Sequence, residues 1–498
     1  MDKRAVLQAT NFGQRVAEEE SQELERYFVL TDNWARTFGG EVDIIYGPKG
    51  SGKSALYSLL IRKENELFDR GIVVVSAEKP RGTPVFNDVQ KNPPTTEDEF
   101  VALWKLYLLT LVSAVLTEYG VKTEEAKIVG EYLADANLVE SRKNLGRLLQ
   151  GVGNYVRSYF RRPESLEGTL SIDPMTGLPV GFGGKISFAE PVDQSRGVMS
   201  VSTLLHKADT ALRTLDSKLW VLLDRLDVAF TEHPDLEENA LRALFRAYLD
   251  MLELETIQLK IFLRSDIWTR ITQKGFREAS HVTRHITIKW DTNSLMNLVI
   301  RRALKNQAIL DAYGVDPEHI LENSANQIEF FYRLFPDQVD IGPNKSRTFD
   351  WILNRTMDGT RQPAPREIIH FLNEARDAQL RQHELGTFDD EGDELFSRSA
   401  LRDALPEVSK VRLHQTLYAE YPGLRQHIEE LAGEKTLQSP ESLAAIWRCD
   451  TTEASERAQI LVEIGFFERR GSKREPTYWI PFLYRDATQT LQGTADKE

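Results

Sequence analysis

Short apolar runs and longer amphipathic stretches alternate along the chain up to about residue 290. The apolar runs fall at Val42–Tyr46, within "GIVVVSAE" (Gly71–Glu78), and in "KLWVLLD", "IQLKIFLRSD" and "RHITIKW". They are rich in β-branched residues and bounded by charged or turn residues, so they read as strands buried on both faces. Between them, "SALYSLLIRKENELF", "SVSTLLHKADTAL", "NALRALFRAYLDMLEL" and "IWTRITQKGFREAS" carry helical apolar spacing. Strand and helix in alternation predict an α/β unit with a parallel sheet covered by helices.

The rhythm breaks twice. Between the second and third strands, roughly residues 85–200 read as an insertion. It comprises the loop "KPRGTPVFNDVQKNPPTT", helical stretches at about 97–118, 122–138 and 139–160, and a Gly-rich segment read as a hairpin or mobile loop. The turn signals of that segment are "DPMTG" and "GFGG". From "DTNSLMNLVIRRAL" onward the pattern is helical to about Glu384. After the polar "LGTFDDEGDELFS", the stretch "ERAQILVEIGFFERRGSKREPTYWIPFLYRD" gives helix, strand, basic turn and strand, the order of a winged helix. The expected domains are therefore a core at 1–290, a helical lid at 291–385 and a winged-helix-like domain at 395–498. Within the first forty residues, "YFVLTDNW" is expected to pack on the core.

One segment reads two ways. "FVALWKLYLLTLVSAVLTEYG" (Phe100–Gly120) has the length of a membrane span. Lys105 interrupts it, however, and "TTEDEF" crowds acids just ahead, which favours a buried helix and no membrane partner. Hydrophobic residues at 41% and charged residues at 28% describe a soluble globular protein. A net charge of −14 argues against a broadly basic nucleic-acid coat, while leaving room for local patches. The single cysteine, Cys449, excludes an intrachain disulfide and fits a reducing compartment, so a cytoplasmic location is expected. "MDKRAVLQATNFGQ" lacks the apolar core of a signal peptide.

The chemistry concentrates at "GPKGSGKS". Gly47, Gly52, Lys53 and Ser54 fit G-x-x-x-x-G-K-[ST], with a strand before and a helix after, the setting this motif needs. Gly47, Pro48, Lys49, Gly50, Ser51, Gly52, Lys53, Ser54 and Ala55 are the expected phosphate-binding residues, for ATP with Mg²⁺. Lys53 reaches the β- and γ-phosphates, and Ser54 ligates the metal. Asp224 ends the strand "LWVLLD", the position from which a carboxylate holds Mg²⁺ directly or through water. Asp227 is the candidate for orienting the attacking water; its alternative is a helix N-cap, and Glu78 is the reserve base. Arg264, ending "KIFLR", is placed to sense the γ-phosphate, or else to pair with Asp227 or Asp266. Arg277 and Arg284, before the last core strand, are candidate fingers for a neighbouring subunit's nucleotide. Arg366, opening a helix after Pro365, is a candidate second sensor, with Arg361 the near alternative. Arg469, Arg470, Lys473 and Arg474 on the wing tip offer contacts either to DNA phosphates or to protein.

Taken in order, "GPKGSGKS", "LWVLLDRLD", "KIFLRSD", "RHITIKWDTNSLMNLVIRRAL" and "QPAPREIIHFLN" resemble prokaryotic AAA+/STAND-type P-loop ATPases. The likeness covers about residues 10–385 and is nearest a bacterial group often found beside phage-defence genes. It implies nucleotide-controlled assembly of a homo-oligomer, with an effector protein as a further partner. Two positions depart from the pattern. Arg225 stands where an acidic residue commonly follows the metal-binding Asp, and Arg264 stands where a smaller polar sensor is usual. The leading functional expectation is a regulatory or assembly ATP hydrolase within an anti-phage system. A DNA-acting ATPase, loader or remodeller, is the alternative, and a small-molecule phosphotransferase is the third reading. No "LSGGQ"-like segment supports an ABC-type ATPase.

Overall fold

The apolar runs of the first half form one parallel sheet. Its strands are β1 (Ile44–Gly47), β2 (Ile72–Ser76), β3 (Lys218–Leu223), β4 (Ile257–Arg264) and β5 (His285–Thr287), in the spatial order β2-β3-β4-β1-β5. Register is set by pairs such as Gly47↔Arg264, Leu223↔Ile261 and Ile44↔His285. All four β1 residues are buried, as a strand covered on both faces requires. Strand β4 is interposed between β1, which feeds the glycine loop, and β3, which leads into Asp224. The fold is thus an α/β P-loop NTPase with ASCE/AAA+-like strand order.

This computed structural model describes residues 2–14, 28–29, 31–77, 97–136, 138, 199–226, 234–273, 275–387 and 392–495. The expected third helical stretch of the insertion and its Gly-rich segment lie outside the described residues, as do Glu78 and Asp227. The chain divides into two compact units, one of Asp32–Gly47 with Lys53–Thr287, the other of Met1–Thr31, Pro48–Gly52 and Ile288–Glu498.

In the α/β unit, the first two insertion helices are Glu97–Glu118 and Glu124–Asp135. The first is long and apolar enough to cross a membrane by length and composition, yet 72% of its most apolar window is buried inside the unit. Leu103, Leu106, Tyr107 and Leu109 are almost fully covered, and Trp104 donates its indole N–H to the Ala240 carbonyl at 2.8 Å. Lys105, which breaks the apolar run, pairs with Asp250 at 2.6 Å. A core helix therefore explains its composition: a side chain buried from all sides must be apolar wherever it points.

The second unit corrects one expectation. Residues 2–14, assigned to the core from the sequence, group with the lid and winged helix instead. Val6, Leu7 and Phe12 bury among lid residues such as Leu295 and Val299. Arg376 donates to the Thr10 carbonyl at 2.9 Å, and the Asn306 amide oxygen accepts from the Asn11 N–H at 2.7 Å. Lid helices Thr292–Leu304, Ser324–Leu334, Thr348–Thr356 and Pro365–Leu385 share this core with the C-terminal residues. Phe335 of the lid stacks on Phe396 at 4.7 Å with nearly parallel rings.

The C-terminal part has the winged-helix arrangement. Strand β6 (Lys435–Gln438) leads to helices Pro440–Trp447 and Thr451–Glu463, followed by the hairpin β7 (Glu468–Gly471) and β8 (Pro476–Trp479). After the helix Phe482–Thr488, strand β9 (Leu491–Thr494) completes a sheet of order β7-β8-β6-β9.

Candidate nucleotide-binding site

In the α/β unit the site lies at the C-terminal edge of the sheet. Gly47 ends β1, and the helix Lys53–Arg62 begins with Lys53, Ser54 and Ala55. The first N–H groups of a helix have no intrahelical partner and carry its positive dipole end, so they favour an anion. The Lys53 ammonium donates to the Gly47 carbonyl at 2.8 Å. Asp224 is buried just beyond β3, two strands from β1, or ~10 Å across the sheet at ordinary strand spacing. Arg225 follows in the left-handed region at φ 58°, which turns the chain sharply after the carboxylate. Among the described residues no cluster of three His, Cys, Asp or Glu side chains could hold a metal. A hydroxyl and one carboxylate suit Mg²⁺, which keeps waters and takes substrate phosphates rather than a protein cage.

Arg264 pairs with Gly47 in the sheet register, which sets it beside the loop's first glycine. Its guanidinium grips Asp266 through two bonds, Nε to Oδ1 at 3.1 Å and Nη2 to Oδ2 at 2.7 Å. Burial would raise the Asp266 carboxyl, but Arg264 and the charge of Lys53 outweigh it and hold the group below the ordinary carboxylate range. The Asp266 side chain keeps 43% of its surface open, so the neighbouring cations set the sign of that shift. Asp266, one of the two partners the sequence offered Arg264, is engaged; the other, Asp227, lies outside the described residues.

Arg284 sits at the other end of the sheet, before β5. It pairs with Asp43 at 2.7 Å and donates to the Gly40 carbonyl at 2.6 Å. Asp43 also binds the fully buried Lys260 ammonium at 2.9 Å and accepts from the Tyr248 hydroxyl at 3.1 Å. This placement makes Arg284 a strut at the sheet's N-terminal edge. Arg277, in the exposed 3-10 turn Arg277–His281, has no ion pair or side-chain hydrogen bond among the described residues.

In the second unit, the loop residues Pro48–Gly52 are held by groups that the sequence places hundreds of residues away. Gly50 and Gly52 have φ of 79° and 96°, conformations that let backbone N–H groups converge inward and that a side chain would strain. A Cβ on Gly50 would lie 3.2 Å from the Arg366 Cβ and 3.5 Å from the Ala364 Cβ. The start of the lid helix therefore rests on this glycine. Pro365 fixes the first helical turn and puts Arg366 in its second position. The Arg366 Nε and the Ser51 hydroxyl are both buried with no hydrogen-bond partner among the described residues. Arg361, the other second-sensor candidate, is committed elsewhere: it pairs with Glu468 at 2.6 Å.

Two further residues, Trp290 and Glu420, hold the loop. The Trp290 indole N–H donates to the Ser51 carbonyl at 2.8 Å. Lys49 forms an ion pair with Glu420. No motif marks Trp290 or Glu420; only the folded chain brings them to the loop.

On the wing, Arg469, Lys473 and Arg474 are exposed. Arg470, expected at the tip with them, turns inward instead. Side chains alternate along a strand, so its neighbour faces out while Arg470 lies over the Trp479 ring at 3.7 Å and pairs with Glu468 at 2.8 Å. The outward face of the preceding helix carries Glu453, Glu456 and Glu463, and Arg457 pairs with Glu453.

No protein-family model matches the chain, and no curated protein sequence matches it. Among solved structures it is similar to the Aeropyrum pernix ORC1 protein in complex with DNA, at 12% identity, TM-score 0.34, and 90% of this chain over 86% of that one. It is likewise similar to the Aeropyrum pernix ORC2 protein in ADPNP–ADP complexes, at 13% identity, TM-score 0.37, and 94% over 90%. A third is Cdc6p from Pyrobaculum aerophilum, at 14% identity, TM-score 0.30, and 97% over 96%. At these values the likeness assigns no residue a role.

Proposed function

We propose that this protein is an AAA+-type ATP-binding and hydrolysing ATPase whose nucleotide state controls its assembly. The observation that carries this reading is a pair of orphaned polar groups, the Ser51 hydroxyl of the glycine loop and the Arg366 Nε of the helix that rests on it. A buried guanidinium N–H and a buried hydroxyl without partners are costly, and a phosphate oxygen satisfies both. When bound with Mg²⁺, ATP supplies an activated phosphoryl group. Gly47–Ala55 cradle its phosphates, Lys53 moves from the Gly47 carbonyl to the β/γ oxygens, and Ser54 and Asp224 hold the metal. Asp227 orients the attacking water, with Glu78 in reserve. Arg264 and Arg366 stabilise charge that develops on the phosphate, Arg264 after loosening its grip on Asp266.

Assembly enters through Arg277, whose exposed guanidinium is available to a neighbouring subunit's nucleotide. Arg284 is the weaker finger, because reaching outward would break its ion pair with Asp43 and its bond to the Gly40 carbonyl. The regulatory setting we favour is a bacterial defence system with an effector partner. A finger acts in trans, so mixing inactive Arg277→Ala with inactive Lys53→Ala chains should restore part of the ATPase activity. No recovery at any ratio would remove Arg277 from this role.

A second reading, a DNA-acting ATPase, rests on the exposed Arg469, Lys473 and Arg474. The acidic outward face of Thr451–Glu463 opposes it, since a groove-reading helix meets phosphates on both sides. Changing those three cations to Glu should leave ATPase activity intact and disturb partner capture. If the same change abolishes a tight duplex binding that falls steeply with salt, the DNA reading stands instead.

A further inference from the structure

The ion pair between Lys49 and Glu420 puts a carboxylate against the phosphate loop. Lys49 is the third residue of the glycine motif, and both side chains are about three-quarters covered, at 25% and 26% exposure. A carboxylate in that position opposes the charge the loop is built to receive. It also withdraws a loop cation. Two effects of the same sign therefore come from one residue, both larger for a triphosphate than for a diphosphate.

Glu420 is not a loose surface group. It closes a run that begins with Leu405–Val411, passes through a π-helical turn at Arg412–Leu417 and ends at Tyr418–Glu420. Arg412, opening the π turn, donates to Glu367 at 3.0 Å and to Asp358 at 2.9 Å. Glu367 is the residue after Arg366, whose own Cβ sits over Gly50. A closed circuit results: Gly50 to Arg366–Glu367, Glu367 to Arg412, Arg412 along the π-helical run to Glu420, and Glu420 to Lys49. Single-turn π segments are rare and recur at functional sites. Each residue of helix advances the azimuth by about 100°, so a change of register in this turn swings Glu420 away from Lys49.

We propose that Glu420 is an electrostatic latch on the phosphate loop, a positioning residue that holds Lys49 back until a nucleoside triphosphate displaces it. Release of the latch reports the bound triphosphate to the C-terminal helices. The proposal rests on the P-loop reading above and adds a residue that sets discrimination between tri- and diphosphate.

The test is the affinity of the full chain for ATP and ADP with Mg²⁺, by titration calorimetry, in wild type, Glu420→Gln, Lys49→Met and the double variant. Glu420→Gln should bind ATP about 3- to 10-fold more tightly and ADP about 2-fold more tightly. In the Lys49→Met background the Glu420→Gln gain should fall by at least half, because the withheld cation is gone. Unchanged or weaker ATP binding by a folded Glu420→Gln chain overturns the latch, and so does an equal gain for ATP and ADP. If Glu420→Gln fails to fold, Glu420→Asp, which keeps the charge and shortens the reach, should tighten ATP more than ADP; no change overturns the proposal. Failure of the wild-type chain to bind either nucleotide overturns both the latch and the P-loop reading.

Discussion

Replacing Lys53 with Ala should weaken ATP binding by ~30-fold or more and abolish hydrolysis. A charge-assisted hydrogen bond to a phosphate is worth about 2–3 kcal/mol, and each 1.4 kcal/mol is tenfold in affinity. Lys53 is also the cation positioned to neutralise charge that builds during phosphoryl transfer, so turnover should suffer more than binding. The fold should survive, since Lys53 is partly exposed and its bond to the Gly47 carbonyl is local in the chain. Calorimetric titration and a phosphate-release assay read the two effects. Wild-type affinity in a folded Lys53→Ala chain would contradict the assignment of the loop.

The largest stability effect should come from Arg412→Met. Arg412 is buried and bonded to Asp358, Glu367 and the Tyr484 hydroxyl. Burial would lower its pKa, but Tyr484, Glu367 and Asp358 more than compensate and keep it firmly charged. Removing one partner of such a network leaves carboxylates buried without a counter-charge and costs about 3–5 kcal/mol. Glu367 lies in the first turn of the helix that carries Arg366, so nucleotide affinity should fall with stability. Replacing Arg412, Glu367 and Asp358 together by Met, Gln and Asn should cost less than Arg412→Met alone, because no charge is then stranded. Urea denaturation followed by tryptophan fluorescence measures both. A loss below ~1 kcal/mol for Arg412→Met would mean that the network is hydrated rather than buried.

The sheet was legible because each strand is a continuous apolar run and each crossover an amphipathic helix. The loop was legible because its chemistry is local: Gly47 to Ser54 are neighbours in sequence. Contacts made across distance were not. Nothing around Glu420 or Trp290 in the sequence marks either as a partner of the loop, since an acid in a helix and an indole before one are ordinary residues. Arg284 looked free because its partner, Asp43, is 241 positions away. Arg470 reads like its neighbours because a charged hairpin does not announce which side chain turns in; Trp479, on the paired strand, and Glu468 decide it. Residues 2–14 read as core for a related reason: Val6, Leu7 and Phe12 form a generic apolar stripe, and its covering surface comes from the lid.

If bound ATP controls assembly, the solution mass of the full chain follows the nucleotide. Light scattering on a sizing column should give a monomer of 56.9 kDa without nucleotide or with ADP. With ATP and Mg²⁺ it should give a multiple of that mass, and Lys53→Ala should stay monomeric throughout. A mass of 56.9 kDa at saturating ATP, with binding verified on the same sample, would rule out nucleotide-controlled assembly.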